Sequence, residues 1–77
     1  MDFLIKEKIE LTDGTFRFQI GMKNNQLIKF GYILESLEGW CNYTTPEKTK
    51  PILQVDVAPD FINDFDVLLK QMAEMDI

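Results

Sequence analysis

The chain has 77 residues, of which 45% are apolar, 12% aromatic and 27% charged, and its formal net charge is −5. This composition excludes a disordered chain, and the length predicts a single domain over residues 1–77 with a small core. Residues 1–51 carry seven acidic and seven basic side chains, whereas residues 52–77 carry six acidic side chains and one lysine, so we expect no binding of nucleic acid or of an anionic membrane.

The first two predicted elements are strands joined by a tight turn. Residues 3–11 alternate in the period of a strand with one covered face. That face would carry Phe3, Ile5, Ile9 and Leu11, and the other face Leu4, Lys6, Lys8 and Glu10. Glu7 breaks the covered face, so either the strand extends past the core there or a bulge shifts its register. Thr12-Asp13-Gly14 predicts the turn, and residues 15–20 predict a returning strand with Phe16, Phe18 and Ile20 inward.

The stretch Asn25–Trp40 predicts the central helix. Its apolar side chains recur at steps of three and four and form one stripe: Leu27, Phe30, Ile33, Leu34 and Leu37. Asn24 or Asn25 would cap the first turn, and Gly39 would end the helix in the left-handed conformation. Ile28 and Tyr32 lie one turn apart and outside the stripe, so we expect a different partner to cover them.

The second half of the chain predicts two more strands and a second helix. Residues 40–45 form a strand with Cys41 and Tyr43 on one face and Trp40, Asn42 and Thr44 on the other, and the pattern leaves open which face is inward. A polar loop from Pro46 to Pro51 leads to the strand Ile52–Val57, with Leu53, Val55 and Val57 inward. Pro59 and Asp60 then open the last helix, whose apolar stripe is Phe61, Phe65, Leu68, Leu69 and Met72.

The order of these elements is ββαββα, which predicts an α+β fold. Two helices with one apolar stripe each would cover one face of a four-stranded antiparallel sheet in a two-layer sandwich. From the second strand onward the order is β-α-β-β-α, as in a ferredoxin-like fold without its last strand. The first strand would fill the vacant edge, so we expect a circular permutation of the ferredoxin-like fold.

Several short segments resemble a family of small uncharacterised bacterial domains with ACT-like topology. They are Ile28-Lys29-Phe30, Leu34-Glu35 with Glu38-Gly39, Thr44-Thr45 and Val57-Ala58-Pro59. The resemblance covers residues 27–72 and implies a fold without an assigned activity. The ACT comparison implies paired subunits with a small metabolite bound between them. The chain departs from that pattern in its N-terminal strand and in the lack of a Gly-rich loop between the strand and helix.

No residue pattern predicts a catalytic, cofactor or metal site, so we expect a protein that is not an enzyme and has no cofactor. Cys41 is the only cysteine, and without histidine it has no conventional base and cannot form a four-ligand zinc site. Asp60, Asp64 and Asp66 are explained by the helix dipole. No apolar run is long enough to cross a bilayer and the first residues do not resemble a signal peptide, so we expect a cytoplasmic location.

Apolar residues outside the predicted core give the candidate interface. If Cys41 and Tyr43 face the helices, Trp40 faces away beside Leu4 and Ile52, and Ile28 with Tyr32 remains exposed on the central helix. The first hypothesis is a small non-enzymatic module that forms a homodimer or binds a protein partner through the open sheet face. The alternative is an ACT-like regulatory domain that binds a metabolite at a dimer interface. An enzyme using Cys41 and an acidic mimic of nucleic acid are further alternatives.

Overall fold

A computed structural model of the chain describes residues 2–37, 39–47 and 49–75. It contains the strands β1 (Phe3–Glu10), β2 (Phe16–Met22), β3 (Cys41–Thr44) and β4 (Ile52–Val57), and the helices α1 (Asn24–Glu35) and α2 (Ile62–Glu74). A 3₁₀ turn, Pro59–Phe61, leads into α2. The predicted α+β class with a four-stranded antiparallel sheet and two helices is confirmed. Glu38, in the family resemblance, and Lys48, in the predicted loop, lie outside the described residues.

The strands form one open sheet in the order β1-β2-β4-β3, with every neighbouring pair antiparallel. One face of this sheet packs against both helices, and the other face, called here the open face, has no covering element among the described residues. The buried core consists of Phe18, Ile20, Met22, Phe30, Leu34, Leu53, Val55, Val57, Phe65, Leu69 and Met72. Burying each large side chain stabilises the fold by about 1.5–3 kcal/mol.

The predicted inward faces of β2 and β4 and both helical stripes are confirmed. Phe18, Ile20, Leu53, Val55 and Val57 are each at most 1% exposed. The remaining stripe residues of the two helical segments are partly buried against this core: Leu27, Ile33, Leu37, Phe61 and Leu68. Regular alternation in β2 and β4 and regular spacing in the helices therefore located these core residues.

Of the two explanations for Glu7, the bulge is observed, because the register of β1 shifts between Ile5 and Glu7. The inward positions predicted for Ile9 and Leu11 by uninterrupted alternation are therefore wrong. Ile5 lies opposite the core residue Ile20, but beyond the shift Lys8 lies opposite Phe18 and Ile9 opposite Arg17. A bulge inserts one residue and moves every later side chain to the other face. Ile9 is therefore 40% exposed on the open face, and Lys8 and Glu10 take the helix side that was predicted for Ile9 and Leu11.

Lys8 is accommodated on the helix side by contacts that suit a long basic side chain. Its Nζ lies 5.5 Å from the centre of the Phe16 ring and 5.4 Å from that of Phe18. The same atom is 3.7 Å from Oδ2 of Asp66 on α2. The aliphatic stem can follow the apolar surface while the ammonium group stays partly in water. The bulge therefore places a cation between the sheet edge and the acidic second helix.

The ends of α1 differ from the prediction. Lys23 rather than an asparagine is the capping residue, and it makes no side-chain capping bond. The helix ends at Glu35, and the N–H of Ser36 donates to carbonyl groups of the last turn. Gly39 has the expected left-handed backbone with φ of +84°, but it lies in the turn before β3. The positive-φ glycine therefore sets the turn into the strand, not the helix end.

Candidate functional site

Paired polar side chains occupy the centre of the open face. Arg17 on β2 lies opposite Asp56 on β4, with Nε to Oδ1 at 2.8 Å and Nη2 to Oδ2 at 3.1 Å. The Asp56 side-chain hydrogen bond raises the pKa of Arg17. Next to this pair, Nε2 of Gln19 donates to Oε1 of Gln54 at 2.7 Å. These cross-strand pairs satisfy one another, so the Arg17 guanidinium and the Asp56 carboxylate are each already paired.

The apolar end of the open face consists of Leu4, Gly21 and Ile52, which lie side by side on β1, β2 and β4. Leu4 is 64% exposed, and Ile52 is partly buried. The Lys6 side chain runs across Gly21, since a Cβ on that glycine would lie 2.6 Å from Lys6 Cε. These residues help to line a groove of about 340 Å³. The apolar end is therefore part of a surface groove whose lining also includes Lys6 and Lys50.

Trp40 does not lie beside Leu4 and Ile52, in contrast to the prediction. β3 starts at Cys41, which pairs with Val57, and the N–H of Ala58 donates to the Trp40 carbonyl at 3.0 Å. Trp40 is therefore at the other end of the sheet from Ile52. Its indole stacks on the Phe61 ring, with 5.4 Å between centroids and 10° between planes. Trp40 also lines a groove with Arg17 and Asp56 of the open face, at the end of the sheet away from Ile52.

The structure shows which side chains of β3 point inward, which the sequence did not decide. Cys41 and Tyr43 are partly buried against the core, which places them on the helix side. Burial raises the pKa of the Cys41 thiol, which disfavours the thiolate needed for nucleophilic attack. A groove of about 430 Å³ next to it also contains Trp40, Asp13 and the paired Arg17. Arg17 in this groove is already hydrogen-bonded to Asp56.

Ile28 and Tyr32 are exposed on α1, 63% and 67% respectively, as their positions outside the stripe predicted. Tyr32 shares a groove with Glu35 and with Tyr43 of β3. The Tyr43 hydroxyl donates to Oε1 of Glu35 at 2.5 Å. This hydrogen bond is the main reason why the pKa of Tyr43 is raised to about 12. The phenol consequently stays protonated and holds Glu35 at the end of the helix.

Metal-binding clusters and membrane-spanning helices are both absent from the described residues. No group of three His, Cys, Asp or Glu residues there could hold a metal ion. Among the predicted acidic group of α2, Asp66 is instead an ion-pair partner of Lys8. None of the described helices is long and apolar enough to cross a membrane.

Comparisons with protein-family models, with curated proteins and with solved structures find no match to this chain. Sequence reasoning missed two features of the site geometry: the Lys6 stem that covers Gly21, and the hydrogen bond from Tyr43 to Glu35. Glu7 is an acidic residue at a position where the alternation predicts an apolar one, and it was the sequence signal for the bulge that positions Lys6. No local pattern indicated the bond from Tyr43 to Glu35, because it joins a helix to a later strand.

Proposed function

We propose that this chain is a small non-enzymatic protein-interaction module that binds a second copy of itself, or another protein, through its open sheet face. One observation carries the proposal. Leu4 is 64% exposed beside Ile52, on a sheet whose other face both helices cover. Gly21 lies between these two aliphatic side chains, and the stem of Lys6 covers it, so a partner would contact Leu4, Ile52 and the methylene groups of Lys6.

The size of the molecule suits such a contact. A standard interface buries about 800 Å² on each partner, which is roughly one sixth of the chain's 5115 Å² of accessible surface. Ile9 adds exposed apolar area on the same face, opposite Arg17. The paired polar residues at the centre would form the hydrogen-bonded part of the interface. Leu4 and Ile52 would supply most of its apolar area.

The strand order supports the further proposal that the fold is a circularly permuted ferredoxin-like fold. The segment from β2 through α2 has the order β-α-β-β-α, and β1 pairs antiparallel with β2 at the sheet edge. A relationship to ACT-like bacterial domains would follow from the same topology. It remains a proposal that rests on strand order and on the short sequence resemblance.

A regulatory domain that binds a small metabolite between two subunits is the second candidate, and the strand order favours it. The connection between β2 and α1 argues against this candidate, because it consists of Lys23 alone. Such a short connection leaves little backbone to surround a ligand. A thermal-shift screen of amino acids and nucleotides at millimolar concentration should give a stabilising hit if this candidate is correct.

The open-face proposal is tested by the mass of the chain in solution. Leu4→Asp would place a charge in the apolar end, and Ile28→Asp is a matched control because Ile28 is 63% exposed on the opposite side of the sheet. We expect light scattering to give a dimer for the parent chain and for Ile28→Asp, and a monomer for Leu4→Asp. Circular dichroism should show all three chains folded. A monomeric parent chain would contradict self-association and leave only a different protein as partner.

A further inference from the structure

The groove between α1 and β3 has the chemistry of a site for an organic cation. Its volume is about 210 Å³, and its lining includes two phenol rings, Tyr32 and Tyr43, together with Glu35. The face of an aromatic ring carries negative potential and attracts an ammonium or guanidinium group. Pockets for drug-sized ligands start at about 300 Å³, so this smaller groove suits a single side chain.

Glu35 adds a formal negative charge that no cation of the described residues balances. It is the last residue of α1, and the last turn of that helix contains no basic residue. None of the ion pairs between described residues involves it. The C-terminal end of a helix is itself partly negative. The helix end and the carboxylate therefore attract a cation to the same place.

The rest of the surface favours a protein as the source of that cation. Ile28 is 63% exposed on the same side of α1, one turn before Tyr32, and gives apolar contact area beside the groove. The net charge of −5, which residues 52–77 carry, would draw a basic partner towards the chain as a whole and increase its association rate. A partner segment with a basic residue next to an aliphatic one would match both features.

We propose that this groove binds an arginine or lysine side chain of a partner protein, with its cation against Tyr32, Tyr43 and Glu35 and a neighbouring aliphatic residue against Ile28. Tyr43 holds one oxygen of Glu35 and leaves Oε2 to accept from the incoming cation. The groove is on the helix side of the sheet, and the apolar end is on the open face. Each proposal can therefore fail without the other.

The test is an NMR titration of the ¹⁵N-labelled full chain with two short peptides. The probe is the acetylated and amidated tripeptide Leu-Arg-Leu, and the control replaces arginine by citrulline, which has nearly the same shape but no charge. We expect the arginine peptide to shift the amide signals of Gly31, Tyr32, Glu35 and Tyr43. The citrulline peptide should bind at least about tenfold more weakly, because it lacks the charge-assisted hydrogen bond.

Variants of the chain test whether Glu35 and Tyr32 bind the arginine peptide. Glu35→Gln and Tyr32→Ala should each weaken binding of the arginine peptide, by about tenfold for Glu35→Gln. The matched control is Glu47→Gln, which removes an exposed carboxylate that pairs with Lys50 and does not line the groove, and it should leave the affinity unchanged. Leu4→Asp should also leave it unchanged, since Leu4 is on the open face. Circular dichroism checks that each variant is folded.

Four results would overturn the proposal. The first is the absence of any shift with the arginine peptide, and the second is equal affinity for the arginine and citrulline peptides. The third is undiminished binding to folded Glu35→Gln. The fourth is binding of tetramethylammonium as tight as that of the arginine peptide, which would identify a site for a small free cation and not for a protein side chain.

Discussion

Trp40 and Phe61 stack almost parallel, with 5.4 Å between ring centroids, and join the turn before β3 to the turn before α2. Each ring covers one face of the other, and Phe61 also packs against the core. Aromatic pairs contribute about 0.5–1.5 kcal/mol beyond the area that they bury. The stack therefore fixes the start of the edge strand to the start of the second helix.

The first prediction is that Trp40→Ala destabilises the chain by about 1–3 kcal/mol, since it removes this stack and exposes Phe61. Tyr32→Ala is the control, because Tyr32 is an aromatic residue that is 67% exposed. It should change the free energy of unfolding by less than about 0.5 kcal/mol. Urea denaturation followed by circular dichroism measures both values. If Trp40→Ala lowers the free energy of unfolding no more than Tyr32→Ala does, the stack contributes little to stability.

The second prediction concerns the bulge in β1. Ile9→Thr should change stability by less than about 0.5 kcal/mol, because Ile9 is on the open face. Ile20→Thr is the matched control in the neighbouring strand, where the side chain is fully buried. It should cost about 2–4 kcal/mol through lost packing and a buried hydroxyl. A cost for Ile9→Thr as large as that for Ile20→Thr would mean that Ile9 is in the core.

Ile9 and Ile20 show how far sequence periodicity could predict this fold. The strands β2 and β4 alternate without interruption, so Phe18 and Val55 were predicted correctly from a period of two residues. A bulge changes the phase of that period, and an alternation rule cannot choose between a bulge and an overhanging strand. Trp40 was assigned to β3 by the same rule, although the strand starts one residue later. Its partner Phe61 is distant in sequence, and no local pattern reveals such a contact.

The third prediction is that β1 is integral to the fold. Phe3 packs edge-on against Phe30 of α1, with 5.5 Å between ring centroids, and Ile5 lies opposite Ile20. Deletion of residues 1–11 would expose these core residues and the hydrogen-bonding edge of β2. We expect the truncated chain to aggregate or to lose its cooperative thermal transition. A cooperative transition close to that of the full chain would contradict the position of β1 in the sheet.

The last prediction concerns Tyr43, whose pKa is raised to about 12 mainly by its hydrogen bond to Glu35. The ordinary value is about 10, so at pH 10–12 the unfolded chain holds fewer protons on this group than the folded chain. The stability that the bond contributes is therefore complete below pH 10 and is lost as the pH rises through about 12.

Two variants separate this bond from the other effects of high pH. Tyr43→Phe keeps the ring but removes the hydroxyl, so its free energy of unfolding should fall less steeply with rising pH in that window than the parent's. Glu35→Gln removes the carboxylate charge and should lower the pKa of Tyr43, measured from the near-ultraviolet absorbance of tyrosinate after subtraction of the Tyr43→Phe titration. Glu47→Gln removes an exposed carboxylate elsewhere and should leave that titration unchanged. If Glu35→Gln and Glu47→Gln titrate alike, the bond from Tyr43 to Glu35 does not form in solution.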